Sequence, residues 1–146
     1  MTVSVSIVID APPSAVWAAI EPIETHVEWM ADAESITFTS EQRRGIGTTF
    51  ECRTRIGPFR TNDRMIVTEW EPDRVMGIAH RGLFTGTGRF VLESVGRMQT
   101  RFTWTEAIHF PWWLAGPAGA RGAQPILQRV WRANLERLAH LVASRA

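Results

Sequence analysis

A carboxylate on the apolar side of a strand is the first feature of this sequence with chemical potential. In residues 100–113, TRFTWTEAIHFPWW, Phe102, Trp104, Ile108 and Phe110 alternate with Arg101, Thr103, Thr105 and His109, and Glu106 falls on the aromatic side. Burial there would raise its pKa and suit it to general acid/base work. A nearby Arg would instead keep it ionised. A place at a pocket mouth, or a structural pairing with an Arg, would require no chemistry of it. His80 shares a strand face with Met76 and Ile78. Facing inward it would hydrogen-bond a ligand carbonyl or shuttle a proton; the plainer alternative is a structural histidine. Asp63 and Arg64 are adjacent in segment 59–70, whose inward parity stays open because a bulge can switch it. A buried Arg64 would suit a carboxylate- or enolate-bearing ligand. The competing arrangement is an outer ladder of Arg53, Arg55, Arg60 and Arg64 against Glu51 and Glu69.

Composition removes several chemistries. All 16 basic residues are Arg. With no Lys, a Schiff base and a P-loop lysine are both excluded. With no Tyr, no phenol can serve as acid, base or oxyanion donor. His26, His80, His109 and His140 lack ligand spacing and Cys52 is alone, so neither a metal site nor an internal disulfide is expected. There is no G-x-S-x-G. The glycines of GIG and GTGRF read as turn glycines, not a dinucleotide fingerprint, and no cofactor is expected. The net charge of +1, with interspersed signs, argues against nucleic acid as a partner.

The elements that must position these groups can be read from periodicity. Val3, Val5, Ile7 and Ile9 alternate in a first strand. Two prolines then open a short helix in APPSAVWAAI, where a missing N–H costs nothing. IETHVEWM (23–30) reads as a second short helix. Six strands follow, separated by EQRRGIG, IGPF, EPDR, GLFTG and SVGR. A helix from about Pro125 to Ser144 carries Leu127, Val130, Trp131, Leu135, Leu138, Leu141 and Val142 at 3–4 spacing. The preceding tract, PWWLAGPAGARGAQP (111–125), reads as a loop able to act as a lid, with Trp112 and Trp113 flanking an entrance or docking a partner. The expected fold class is therefore α+β: a curved, seven-stranded antiparallel sheet wrapped around a long C-terminal helix, in the order β-α-α-β6-α. One helix and a strongly bent sheet rarely fill the space between them, so an apolar cavity is expected there.

The 146 residues fit one domain, 1–146, with 45% apolar content. No apolar run approaches the ~20 residues of a membrane span, and the N-terminus lacks signal-peptide features. A cytoplasmic protein without stable membrane insertion is expected; homodimerisation stays open. The segments IDAPPSAVWAAIEPIETHVEWMADAESITF (9–38), VTEWEPDRVM (67–76) and RFTWTEAIHFPWW (101–113), with ILQRVWRANLERLAHL near the end, resemble the START/Bet v 1-like (SRPBCC) superfamily, and within it the polyketide cyclase/dehydrase-like group. The resemblance spans essentially the whole chain and implies the helix-grip fold with a hydrophobic ligand cavity. It implies a small, mostly hydrophobic ligand such as a lipid, polyketide or aromatic metabolite. Phe50, Phe90, Phe102, Trp104 and Trp131 would line that cavity, with Cys52 and Leu127 beside them. Glu106 and His80 would orient the ligand. Two alternatives to simple binding remain: a cyclase/dehydrase-type enzyme using Glu106 or His80 for proton transfer, or an interaction module using Trp112–Trp113.

Overall fold

A computed structural model describes residues 1–110, 113 and 116–145. The chain runs β1 (Thr2–Ile9), α1 (Pro13–Ile20), a 3-10 helix (Ile23–Glu28), β2 (Ala33–Phe38), β3 (Thr49–Ile56), β4 (Phe59–Glu71), β5 (Val75–Arg81), β6 (Thr85–Ser94), β7 (Thr100–His109) and α2 (Gly116–Ser144). The seven strands form one sheet in the order β1-β7-β6-β5-β4-β3-β2. Every neighbouring pair is antiparallel. Five hairpins therefore carry β2 to β7, and β1 closes the far edge against β7. The second short helix expected from sequence is a 3-10 turn of the chain.

The sheet's inner face is built by alternation. On β7, Phe102, Trp104 and Glu106 are buried, and Val3 and Val5 of β1 are buried opposite Glu106 and Trp104. Outside, Ser4 meets Thr105 and Ser6 meets Thr103 through hydroxyl pairs at 3.0 and 3.1 Å. On β4, Asp63 and Val67 are buried and Arg64 is exposed, which settles the parity of this strand. The ladder shifts register between Val67 and Glu69. That bulge returns Trp70 to the inner side, where it packs edge-on against Trp17 of α1 at 5.2 Å, and leaves Glu69 outside with Arg89. Arg53, Arg55, Arg60 and Arg64 do share the outer face with Glu51 and Glu69, and Glu51 stands opposite Arg64, but the close ion pairs on that face are Arg89–Glu69 and Arg60–Glu34.

Helix α2 lies across the sheet, burying Leu127, Trp131, Leu135, Leu138 and Val142. It begins at Gly116, about two and a half turns before the start predicted at Pro125, and Pro125 lies inside it. The lid expected over 111–125 is thus helix from Gly116 onward. Tertiary burial offsets the local Gly and Pro penalties here: Ala120 is buried, and Gly119, Gly122, Ala123, Ile126 and Leu127 follow one face toward the sheet. At 1.5 Å per residue the 29 residues span about 43 Å. Among the described residues no helix is long and apolar enough to cross a membrane.

Candidate functional site

Between sheet and α2 lies a cavity of about 490 Å³. Its volume falls within the range of small-molecule sites. Its existence has a local cause on each side. Gly119, Gly122 and Ala123 present almost no side chain where α2 faces the sheet. Opposite them, Gly88 stands on β6 between Ile78 of β5 and Glu106 of β7. An added Cβ at Gly88 would sit 2.9 Å from Glu106 Oε1. Gly86 and Gly88 are strand residues, not the turn glycines that GTGRF suggested. The missing side chain at Gly88 opens the route by which His80 of β5 reaches Glu106 of β7.

These two residues form the polar centre of the wall. His80 Nε2 lies 2.9 Å from Glu106 Oε2. The ring N–H is not aligned with that oxygen, so the contact is ionic more than a linear hydrogen bond. Trp104 Nε1 donates to the other oxygen, Oε1, at 3.1 Å. Glu106 is only 6% exposed. It is neither at a solvated rim nor paired with an Arg. Burial alone would lower the pKa of His80, but the Glu106 contact and the charges of Glu106 and Asp63 outweigh it, and the imidazole is held above its usual value. The facing carboxylate thus favours the protonated form of this imidazole inside an apolar wall, the form in which it can act as an acid.

Two further carboxylates face the same space. Asp63 accepts the Thr61 hydroxyl at Oδ2 (3.2 Å), while Oδ1 has no partner among the described residues. Burial raises the pKa of Asp63, an effect that His80 partly offsets. Asp32 accepts Asn134 Nδ2 at 2.7 Å. Asn134 is fully buried on α2, and its Oδ1 accepts from the Ala31 backbone N–H at 3.0 Å and from Arg137 at 2.8 Å. Burial also raises Asp32. Cys52 lines the wall as a neutral thiol, pushed up to about 11 by burial, with Thr54 at 3.7 Å. It is therefore no ready nucleophile. Among the described residues no three His, Cys, Asp or Glu side chains converge as a metal site would require.

The apolar wall is mainly aromatic and sulfur-bearing. Trp104 and Trp131 stack at 4.9 Å with planes 16° apart. Phe90 packs edge-on to Trp104 at 5.3 Å. Phe50, Cys52, His80, Phe90, Trp104, Glu106, Leu127 and Trp131 all reach the cavity wall. Phe102 does not. It is fully buried, 5.2 Å from Phe90, because it packs into the solid core formed with residues of β1, α1 and α2. Asp32 and Asp63 complete the polar set of the wall, and Asn134, which does not line it, holds Asp32. Asn134 had a legible signal, an amide on the apolar stripe of α2 three residues after Trp131. Asp32 had none, since it lies between elements. Of the tryptophans assigned to a lid or docking role, Trp112 lies outside the described residues, and Trp113 is exposed.

The whole chain is comparable with known proteins. A family model described as "Polyketide cyclase / dehydrase and lipid transport" matches residues 1–143, and the chain belongs to that family. No functionally curated protein matches it. Among solved structures it resembles a protein from Thermus thermophilus at 18% identity and TM-score 0.83, covering 100% of this chain and 99% of that one. It resembles an aromatase/cyclase from Streptomyces at 14% identity and TM-score 0.77, covering 99% and 94%. It also resembles norcoclaurine synthase from Thalictrum flavum, solved with dopamine and hydroxybenzaldehyde, at 12% identity and TM-score 0.75, covering 100% and 88%. At these identities the likeness is one of fold: the helix-grip architecture of the START/Bet v 1 proteins.

Proposed function

We propose that this member of the polyketide cyclase/dehydrase and lipid transport family binds a small, mostly hydrophobic molecule in the cavity between its sheet and its C-terminal helix. The observation that carries this reading is the cavity itself, about 490 Å³ walled chiefly by Phe, Trp, Met and Ile side chains. A ligand burying ~200 Å² of apolar surface there gains about 5 kcal/mol, before the costs of ordering and association. Support comes also from the small residues on α2: Gly119, Gly122 and Ala123 keep open a space that Leu or Phe would close. The test is to fill it. Ala123→Trp is expected to weaken binding of a neutral naphthalene derivative by at least about tenfold, read by calorimetry, with the fold retained by circular dichroism. Native mass spectrometry of the purified protein would show what co-purifies. If no apolar compound binds, or if Ala123→Trp leaves binding unchanged, the cavity reading falls.

A second reading, cyclase/dehydrase-type catalysis, is favoured by one observation: the buried His80–Glu106 pair faces the bound molecule's space at 2.9 Å. Protonated His80 would donate to a carbonyl or a departing hydroxyl, and Glu106 would hold the imidazolium in place. Glu106→Gln is then expected to abolish turnover of a candidate substrate while sparing its affinity. Unchanged turnover in both Glu106→Gln and His80→Ala would remove this reading and leave the binder.

A further inference from the structure

The charges that face the cavity do not balance. Asp32, Asp63 and Glu106 present three carboxylates, and His80 presents one imidazole between Glu106 and Asp63. The other nearby cations are committed elsewhere. Arg89 forms a two-point ion pair with Glu69, at 2.8 and 2.9 Å. Arg137 donates to Asn134 Oδ1 and its charge acts on Asp32, not on Asp63. His26 is neutral, lowered to about 4 by burial, and its Nε2 lies 2.7 Å from the Ile20 carbonyl. Glu106 already has His80 and the Trp104 N–H. Asp32 already has Asn134. Asp63 is the remaining acid: it is 7% exposed, its carboxylate meets only the neutral hydroxyls of Thr61 and, more weakly, Thr54, and its Oδ1 has no close hydrogen-bond partner among the described residues. A buried acceptor left in that state costs free energy that a donor on a ligand would recover.

We propose that the molecule this cavity takes carries a protonated amine on an apolar, ring-sized body, with the ammonium group seated at Asp63 and the body against Trp104 and Trp131. The inference rests on the cavity reading above and narrows it to a class. An ammonium brings both the missing positive charge and several N–H donors to one end of an otherwise apolar space. A carboxylate on the same body would meet three carboxylates in a low-dielectric wall and be repelled. A hydroxyl would satisfy one acceptor without altering the charge. Gly82 stands beside Oδ1, where an added Cβ would be 3.1 Å away, and as a glycine it offers that oxygen no side-chain donor.

The experiment compares three probes with one body by calorimetry at neutral pH: 2-(1-naphthyl)ethylamine, 2-(1-naphthyl)ethanol and 1-naphthylacetate. The amine is expected to bind the wild-type protein about tenfold more tightly than the alcohol, as one charge-assisted hydrogen bond would give, and the acetate more weakly than both. Asp63→Asn keeps the shape and removes the charge; it is expected to bring the amine and the alcohol to nearly equal affinity. An acetate that binds as tightly as the amine overturns the proposal, and so does an amine preference that survives Asp63→Asn. If Asp63→Asn does not fold, the wild-type order of the three probes decides alone. Alcohol binding without an amine preference would sink this inference and leave the cavity reading standing. Absence of binding by all three would remove both.

Discussion

At the scale of single residues, two histidines give the protein opposite pH dependences. His26 is held neutral, lowered to about 4 by burial although its Ile20 carbonyl contact and Glu24 pull it up. Below about pH 6.5 the unfolded chain takes up a proton that the folded chain refuses, so its contribution to stability falls as pH drops from 6.5 through 4. The loss is on the order of 3 kcal/mol when complete. His26→Gln is expected to flatten that acid limb in urea titrations across pH. Asp32 and Asp63, raised by burial, act in the opposite sense in acid, so the effect is read as the difference between variant and wild type. His80 works at the other end. Its pKa is raised in the folded state, so its stabilising contribution is fully present below the unfolded value near 6.5 and disappears as pH rises through the folded value. Glu106→Gln is expected to remove that alkaline decline and lower stability at pH 6. An alkaline limb unchanged in Glu106→Gln would show that the pair does not set it.

At the scale of elements, β6 and the first half of α2 make the cavity by what they lack. Gly88 leaves room for Glu106 to turn toward His80. Gly88→Ala would place a Cβ 2.9 Å from Glu106 Oε1, and overpacking of that kind costs about 1–3 kcal/mol. The expected readout is a lower urea midpoint together with loss of the His80-linked alkaline limb. Gly86 is stricter. Its φ is +147° and an added Cβ would lie 1.8 Å from the Ala107 carbonyl. The β6–β7 pairing there depends on glycine, and Gly86→Ala is expected to fail as soluble, cooperatively unfolding protein. The alternation of β7 and the 3–4 stripe of α2 were readable from residue types because burial on one face imposes a period. The nine residues at the front of α2 were not. There Gly and Pro oppose the helix that the intervening Ala residues favour, and packing against the sheet decides the balance.

At the scale of the whole molecule, the grip of helix on sheet is polar as well as apolar. Asn134 on α2 receives Ala31 and Arg137 and donates to Asp32, so one buried amide joins the helix to the chain entering β2. Asn134→Leu would leave Asp32 and the Ala31 N–H without these partners, at a cost of about 2–3 kcal/mol. Denaturant unfolding should show that loss, and calorimetry should show weaker binding of the naphthyl probes, because this contact holds Asp32, a lining residue of the cavity. A stable Asn134→Leu with wild-type affinity would mean the helix is held by its apolar stripe alone. A ligand present at a hundred times its dissociation constant should in turn stabilise the fold by about 2.7 kcal/mol, visible as a raised Tm.

The sequence by itself determined the element order, the antiparallel meander, the covering helix and the place of Glu106 and His80 on the apolar faces of their strands. Each of these follows from local periodicity and turn chemistry, which act over a few residues. The meeting of His80 with Glu106 was decided by tertiary structure, because it crosses β6 and depends on Gly88 and on the registers of two hairpins. The parity of β4 likewise depended on its pairing: the register with β3 and β5 puts Asp63 inside and Arg64 outside, and the bulge after Val67 then brings Trp70 inward. The removal of Phe102 from the cavity wall, and the recruitment of Asp32 by Asn134 over 102 residues of chain, have the same origin. Pairings between distant residues are set by how the sheet bends and where the helix settles on it, and no local pattern records that.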